Sequence, residues 1–369
     1  MRCPNASSLD YPTTMSSQTT DPVVVASDIL SSVVQLPCLA TLSDLGVFEK
    51  LSDGPLTAAQ LAQQCSADHW LVVRLMRAAT TWGVIVETGT ETYAATATSD
   101  ILATPAYAAG LHVSQRIAKI LSGASAYLKE NQYRNPAGPD NSIFQYSMGT
   151  KLKSFEFLSQ NKEAMHDFNL FMTIQHTNEQ WTERFDIASL ILDGVTIDQT
   201  VPLVVDVAGG IGKDLQLVKK ALPPTPPGSL VLEDQAVVID GVPADMHDPD
   251  LKYVKHDFFT PQPVKGARIY TLKHILHNWP DEKCLEILGH TVDSMTAGYS
   301  KVWILDRVVP ETGADKALVG LDITMMGIHG ALERTRVQWQ TLLAQAGLRI
   351  SSVSTSPDSF SLIECVLEA

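Results

Sequence analysis

The stretch VVDVAGGIG, from Val204 to Gly212, decides the fold because it joins an apolar strand to a glycine-rich turn. A helical pattern of apolar residues follows from Leu215 to Leu222. A strand, a tight loop and a helix in this order indicate the start of an α/β domain that binds nucleotide-like ligands. Gly209, Gly210 and Gly212 would let a ligand lie against the backbone without meeting a Cβ, although such a turn is often only a turn.

Further apolar strands follow in the order that a doubly wound sheet requires. The next strand ends at Asp234, which we expect to bind a ribose, or alternatively to cap the following helix. The third strand runs into Asp257 and Phe258, an acid and an aromatic ring that suit an adenine. The fourth strand, 267–272, runs into a segment that contains His277. Ligands of open α/β sheets bind at these carboxyl ends of the strands.

Composition restricts the function. The chain has 369 residues and a formal charge of −14, so it is long enough for about two domains and too acidic to favour nucleic acid. Its five cysteines show neither metal nor disulfide spacing, which predicts reduced thiols in the cytoplasm and no metal site. We also expect no membrane span, because no apolar run reaches the roughly 18 residues that a span needs.

The pattern predicts four regions along the chain. Residues 1–22 are polar and are expected to be loose. Residues 23–110 show two helices and a hairpin, the pattern of a winged helix, with Thr57 and Gln60 in a capping box. Residues 111–190 are predicted to form a helical linker region and residues 191–369 the α/β domain.

A winged helix often binds DNA, so that alternative has to be weighed. The candidate recognition helix carries only Arg74 and Arg77 as cations, beside Asp68. Groove binding needs several cations to neutralise phosphates. A module with apolar faces suits self-association better, and we therefore expect no nucleic-acid partner.

Several ordered motifs resemble a known family. EDQAVVI (233–239), HDFF (256–259), LKHILHNWPDEKC (272–284), WILDRVVPE (303–311) and LDITMMGIHGALERT (321–335) look like the successive motifs of S-adenosylmethionine-dependent O-methyltransferases of the caffeic-acid type. The segment 135–172 resembles the fungal secondary-metabolite branch, such as the sterigmatocystin and aflatoxin-pathway enzymes. The resemblance implies a class I methyltransferase Rossmann-like doubly wound sheet and a winged-helix dimerisation domain. It also implies a homodimer. The family resemblance carried by the motifs of 233–335 implies that the linker 111–190 contributes to the substrate pocket and that 191–369 is the catalytic domain.

The resemblance implies S-adenosyl-L-methionine as cofactor and assigns its site. Asp206 and the three glycines match the cofactor loop, and Lys273 aligns with a residue near the methionyl portion. The first glycine of the family's triad is Ala208 here. Since alanine adopts most strand-end torsions, we expect binding to survive this change.

The catalytic residues follow from chemistry and resemblance together. A phenol is mostly protonated at neutral pH, so its methylation needs a general base. His277 stands just past the fourth strand and matches the family's catalytic histidine, whereas His274 is interpreted as structural. The resemblance implies that Asp306, at the end of its strand, and Glu333 orient this histidine, although Asp306 is one methylene shorter than the family's usual glutamate.

The substrate pocket is predicted from two helices. The resemblance places Phe168 and Met172 on one wall and Met325 and Met326 on the other, while plain helix core is the alternative for each pair. The expected reaction is O-methylation of an aromatic or polyketide-type metabolite. The alternatives are a pericyclase that uses the bound cofactor for dehydration or cycloaddition, and a binding dimer without catalysis.

Overall fold

The computed structural model describes residues 21–178, 181–195, 201–356 and 360–368. The predicted loose segment 1–22 lies outside these residues except at its end, where Asp21 caps a helix that begins at Pro22. The chain divides into two compact units between Gln115 and Arg116.

The first unit contains six short helices, a small sheet and the start of a seventh helix. The helices are α1 Pro22–Ser31, α2 Gln35–Asp44, α3 Val47–Leu51, α4 Ala58–Gln64, α5 His69–Thr81, α6 Ala97–Leu102 and α7 Pro105–Leu121. The strands are β1 Leu56–Thr57, β2 Ile85–Gly89 and β3 Thr92–Ala95, antiparallel in the order β1-β3-β2. The predicted hairpin thus has a third strand.

Local signals fix this unit. The capping box of Thr57 and Gln60 starts α4, and the Asp68 side chain accepts a hydrogen bond from the backbone of Leu71 to start α5. Helix α5 therefore begins at His69. The unit's core is fully buried and includes Phe48, Leu61, Val72, Met76 and Tyr93.

The segment Pro22–Asp44 is more apolar than expected from the sequence. This helical stretch of 23 residues contains an 18-residue window with a mean hydropathy of 1.8 and is long enough to cross a membrane. The expectation that no stretch reaches this length and hydropathy was wrong here, because α1 and α2 join through one 3-10 turn at Ser32–Val34. Length and composition do not make it a span, since apolar helices of soluble proteins pass the same test.

The second unit begins with helices that precede the large sheet. These are α8 Ala124–Glu130, α9 Ile143–Met148, α10 Ser154–Ser159, α11 Lys162–Asn178, α12 Trp181–Arg184 and α13 Ile187–Leu192. The later helices alternate with strands and are α14 Lys213–Ala221, α15 Ala236–Asp240, α16 Asp281–Val292, α17 Lys316–His329 and α18 Arg336–Gln345.

The large sheet is the predicted doubly wound α/β sheet. Its strands are β4 Val204–Val207, β5 Leu230–Asp234, β6 Leu251–Lys255, β7 Ile269–Lys273, β8 Lys301–Val309, β9 Arg334–Thr335, β10 Leu348–Thr355 and β11 Phe360–Leu367. The order is β10-β11-β8-β7-β4-β5-β6, with β9 beside β8. Strands β8, β7, β4, β5 and β6 pair in parallel in that order, and β11 pairs antiparallel with β8 and β10.

Alternating side chains of the central strands feed two cores, one on each face. Val205 and Val207 pack with residues of α16 and α18, whereas Val204 packs with residues of α13 and α14. Because both faces are covered, β4 is apolar almost throughout, as parallel strands in such sheets are. The carboxyl ends of β4, β5 and β7 therefore meet at one edge of a rigid sheet.

Candidate active site

The glycine loop follows β4 and packs tightly on its neighbours. A Cβ at Gly209 would lie 2.6 Å from a methyl of Leu232 and closer still to the carboxylate of Asp206. Gly210 and Gly212 have φ values of 63° and 85°, which favour glycine. The loop therefore requires glycine at these positions for its own fold.

Ala208 corrects an expectation about this loop. It does not adopt a strand-end torsion but has a φ of 58°, in the left-handed region. That conformation places Cβ near a carbonyl oxygen and costs an alanine about 1–2 kcal/mol. The loop thus carries backbone strain at the position where the family has glycine.

Asp234 lies at the end of β5, against the glycine loop. Its carboxylate accepts hydrogen bonds from the backbone N–H of Gly210 at 2.8 Å and of Gln235 at 2.7 Å. The residue in the N-cap position of α15 is Gln235, so the capping alternative does not describe Asp234. Burial raises the pKa of this carboxyl. Asp234, the residue predicted to bind the ribose, is thus held against the glycine loop.

The other predicted adenosine contacts follow β6, the strand beside β5. Asp257 is exposed and accepts a hydrogen bond from the backbone of Phe259 at 3.0 Å. The half-buried ring of Phe258 packs edge-on against Phe259 and Trp279. Asp234, Asp257 and Phe258 therefore lie at the same edge of the sheet.

Asp206 and Lys273 lie on neighbouring strands. The hydroxyl of Thr271 donates to Oδ1 of Asp206 at 2.9 Å, while the buried Oδ2 has no partner among the described residues. Burial, and after it the nearby Asp214, raises the pKa of Asp206 to about 7. Lys273 forms an ion pair with Asp214 at 3.0 Å.

His277 stands in the 3-10 turn Leu276–Asn278, directly after β7. Its Nδ1 lies 2.7 Å from Oε1 of the buried Glu333, and its side chain is 12% exposed. A carboxylate accepts the Nδ1 proton, which leaves Nε2 as the basic nitrogen of the neutral ring. The structure therefore brings the predicted base and one predicted acid into direct contact.

Asp306 does not make the corresponding contact. Its nearer oxygen is 4.0 Å from His277 Nδ1, beyond hydrogen-bond distance, and 3.5 Å from Nδ1 of His274. The prediction that Asp306 ends its strand was also wrong, since β8 continues to Val309. This fully buried acid lies between two histidines.

His274 has a φ of 53° and lies beside His277, with ring centroids 5.4 Å apart. Ligand atoms of His274, His277 and Asp306 lie within 4.8 Å of one another, a grouping of the kind that binds a cation. Nδ1 of His277 is already in a hydrogen bond with Glu333. The contacts described for His277 are therefore those of a hydrogen-bonded base and not those of a cation ligand.

Arg334 holds the turn that carries His277, and sequence reasoning missed it. The guanidinium is fully buried and donates to the carbonyls of Leu276 at 3.1 Å and Trp279 at 2.9 Å and to the carboxylate of Asp281 at 2.7 Å. The available signal was its position directly after Glu333 in the motif 321–335.

The predicted substrate residues lie on α11 and α17. The ring of Phe168 meets Phe155 edge-on at 6.2 Å, and Phe155 packs against His329 at 5.3 Å. Burial, with the nearby His277, lowers the pKa of His329 to about 3, so this ring stays neutral. Phe168 is thereby connected through two rings to the His277 region, and His329 is a second residue that sequence reasoning missed.

The remaining pocket candidates are less distinctive. Met172 is half-buried on α11, four residues after Phe168. Met325 is 9% exposed, and Met326 packs against a core cluster built around Ile120 and Phe144. For Met326 these contacts match the core alternative at least as well as a pocket wall.

Comparisons with known proteins agree with this geometry. The O-methyltransferase domain family matches residues 128–349, and the O-methyltransferase dimerisation domain matches residues 27–105. O-methyltransferase penC of Penicillium thymicola is 36% identical over 93% of this chain and 86% of its own length. Demethylsterigmatocystin 6-O-methyltransferase of Aspergillus flavus is 30% identical over 88% of this chain and 83% of its own.

Solved structures show the same architecture. The structure of LepI in complex with SAM has a TM-score of 0.81 and 28% identity, covering 94% of this chain and 89% of that chain. A structure described as a pericyclic reaction enzyme matches with the same TM-score of 0.81 and identity of 28%, over 94% of this chain and 89% of that one.

The loop can be tested by moving one methyl group. Gly209→Ala should lower the free energy of unfolding by about 1–3 kcal/mol, because its Cβ overlaps Leu232 and Asp206. The matched change Ala208→Gly removes a methyl from a left-handed residue and should raise stability by up to about 1 kcal/mol. Urea unfolding measures both, and wild-type stability of Gly209→Ala would contradict the described packing.

The titration of Asp206 predicts a pH dependence of stability. The folded pKa of about 7 lies above the ordinary pKa of 3.8 for an aspartate, so between these pH values the folded protein binds the extra proton. Stability should therefore fall as pH rises through this window, by about 1 kcal/mol per pH unit at most, and level off above it. Asp206→Asn should lack this component in urea unfolding compared with wild type. Parallel curves for the two proteins would disprove the shift.

Proposed function

This chain belongs to the S-adenosylmethionine-dependent O-methyltransferase family, and from that premise we propose that it methylates an aromatic hydroxyl of a polyketide-type metabolite with His277 as the general base. The contact of His277 with Glu333 at 2.7 Å carries this proposal. A hydrogen-bonded acid fixes the orientation of the ring and stabilises the imidazolium that forms when it takes a proton.

The described residues fit the cofactor. When bound, S-adenosylmethionine supplies a methyl group on an electrophilic sulfonium. The glycine loop would receive the adenosine, Asp234 would bind the ribose, and Asp257 with Phe258 would bind the adenine. Asp206 and Lys273 offer a buried carboxylate and an ammonium for the two charged groups of the methionyl part. We propose that these residues, with the glycines, form the cofactor site.

The chain's own residues then prepare the substrate. Nε2 of His277 accepts the phenol proton, so that the substrate oxygen becomes a stronger nucleophile. Glu333 stabilises the resulting positive charge, and the backbone N–H of Glu333 is held by Asp322 at 2.9 Å. Phe168, Met172, Met325 and Met326 are proposed to hold the flat substrate.

A pericyclic reaction is the second candidate, because one solved relative in structure is described as a pericyclic reaction enzyme. That chemistry does not consume the cofactor. The retained pair of His277 and Glu333 favours methyl transfer, since a base with its orienting acid is what phenol methylation requires.

Cofactor accounting distinguishes the two reactions. The purified protein is incubated with S-adenosylmethionine and a panel of polyketide phenols, and both cofactor forms are followed with the product by chromatography. We expect one S-adenosylhomocysteine for each molecule converted, and His277→Gln should lower kcat by roughly 10²–10⁴-fold with unchanged cofactor affinity. Conversion without loss of S-adenosylmethionine would assign the site to the pericyclic reaction.

The two acids should contribute unequally. Glu333→Gln removes a charged partner at 2.7 Å and should lower kcat by about tenfold to a hundredfold. Asp306→Asn is the matched change at 4.0 Å and should cost less than Glu333→Gln. Steady-state kinetics of both variants measure the two losses of kcat. A larger loss for Asp306→Asn would mean that Asp306, and not Glu333, orients the base.

The chain carries the family's dimerisation domain, and we propose that it forms a homodimer mainly through residues 25–110. Helix α1 and the turn after it expose large apolar side chains, with Ile29 67%, Leu30 79% and Val33 75% exposed. Exposed apolar surface of this kind marks a protein interface.

We also propose a cytosolic location, since Cys38, Cys65, Cys284 and Cys365 are unpaired thiols.

Light scattering at micromolar concentration tests the dimer. The wild-type protein should have twice the mass of the chain, and Leu30→Glu should shift it towards the monomer because a charge is buried at the interface. Val337→Glu, at an exposed position on α18, is the matched control and should leave the mass unchanged. A wild-type monomer would rule out the proposal.

A further inference from the structure

A buried ion pair lies where β7 and α14 meet at the carboxyl edge of the sheet. Nζ of Lys273, the last residue of β7, is 3.0 and 3.2 Å from the two oxygens of Asp214. The side chains are only 7% and 18% exposed. A lysine in such a place has exchanged most of its water for this carboxylate, so Asp214 determines where the ammonium points.

Asp214 is itself held from a third element. The indole N–H of Trp181, a fully buried residue at the start of α12, donates to Oδ1 of Asp214 at 2.8 Å. Asp214 lies in the first turn of α14, where acids often serve only the helix. Among the described residues no backbone N–H donates to its carboxylate, and the two donors that contact it, Trp181 and Lys273, come from other elements. Asp214 therefore holds the ammonium of Lys273 in place and is itself fixed by Trp181.

The group formed by Lys273, Asp214 and Trp181 lies beside the glycine loop, next to Asp206. Asp214, Lys273 and Asp206 line one small cavity with Thr271 and Trp181. The unpartnered Oδ2 of Asp206 lies directly against Gly209. One carboxylate and one ammonium thus stand together at the loop, in the arrangement that would bind the ammonium and carboxylate of an amino acid.

We propose that Asp214 is a positioning residue that presents Lys273 to the methionyl carboxylate of the cofactor, with Trp181 fixing Asp214. The proposal rests on the cofactor site proposed above. A free lysine loses rotamer entropy when a ligand immobilises it. Asp214 imposes that order before the cofactor arrives, so the cofactor binds a preorganised ammonium.

The proposal predicts a selective effect on ligands. S-adenosylhomocysteine has the amino-acid part, whereas 5′-methylthioadenosine has the same adenosine and thioether without it. Asp214→Asn keeps the side-chain shape but removes the charge that holds Lys273. Calorimetry should show about tenfold weaker binding of S-adenosylhomocysteine, with the affinity for 5′-methylthioadenosine changed by less than about twofold.

A double-mutant comparison tests whether Asp214 acts through Lys273. Lys273→Met should also weaken only S-adenosylhomocysteine, and the double variant should bind it no more weakly than Lys273→Met alone. Asp214→Glu should recover part of the loss. If Asp214→Asn does not fold, Trp181→Phe, which removes only the N–H donor, should give the same selective loss at smaller size.

Three results would overturn the proposal: equal loss for both ligands, additive losses in the double variant, or wild-type affinity of Asp214→Asn. These binding measurements are independent of catalysis. A wild-type protein that binds S-adenosylhomocysteine but transfers no methyl group would refute the proposed reaction and leave this inference standing.

Discussion

The buried guanidinium of Arg334 is the constraint on which the active site depends. Carbonyls at the two ends of a 3-10 turn would be costly to bury without donors, and Arg334 satisfies those of Leu276 and Trp279 while its charge is met by Asp281. The same residue follows Glu333 directly and continues as β9 beside β8. One side chain therefore fixes the turn that carries His277, and its backbone neighbour supplies the acid that His277 contacts. The spacing between base and acid is a property of this junction and not of either motif alone.

Charge at the sheet edge divides into two regions with different tasks. Around the glycine loop stand Asp206, Asp214 and Asp234 with one lysine, Lys273, which pairs with Asp214. This region has more negative than positive side chains and suits a ligand with a cationic sulfonium and ammonium. Around His277, Glu333 and Asp306 are both nearly or fully buried. Oε1 of Glu333 lies 2.7 Å from Nδ1 of His277, and Asp306 lies 4.0 Å from it. The first region can hold a cationic ligand, and the second holds the proposed base with its hydrogen-bonded acid.

Local patterns in the sequence predicted much of the fold, because strand alternation, capping boxes and glycine turns are encoded within a few residues. The loop after β4, the acid at the end of β5 and the histidine after β7 were all placed at the correct edge for this reason. Contacts set by packing were not predictable. The 4.0 Å gap at Asp306 arises from the position of the residue within β8, the left-handed torsion of Ala208 from the geometry of the loop, and the roles of Arg334 and Asp214 from elements far apart in the chain.

The order of the last strands has a consequence for how the catalytic unit is made. Strand β11 lies between β8 and β10, although β10 precedes it in the chain. Until β11 has left the ribosome, β8 presents an unpaired edge and β10 has no neighbour to join. Exposed edges of this kind recruit strands from other molecules. One edge of β8 therefore stays open to association with other chains until Phe360–Leu367 pairs with it.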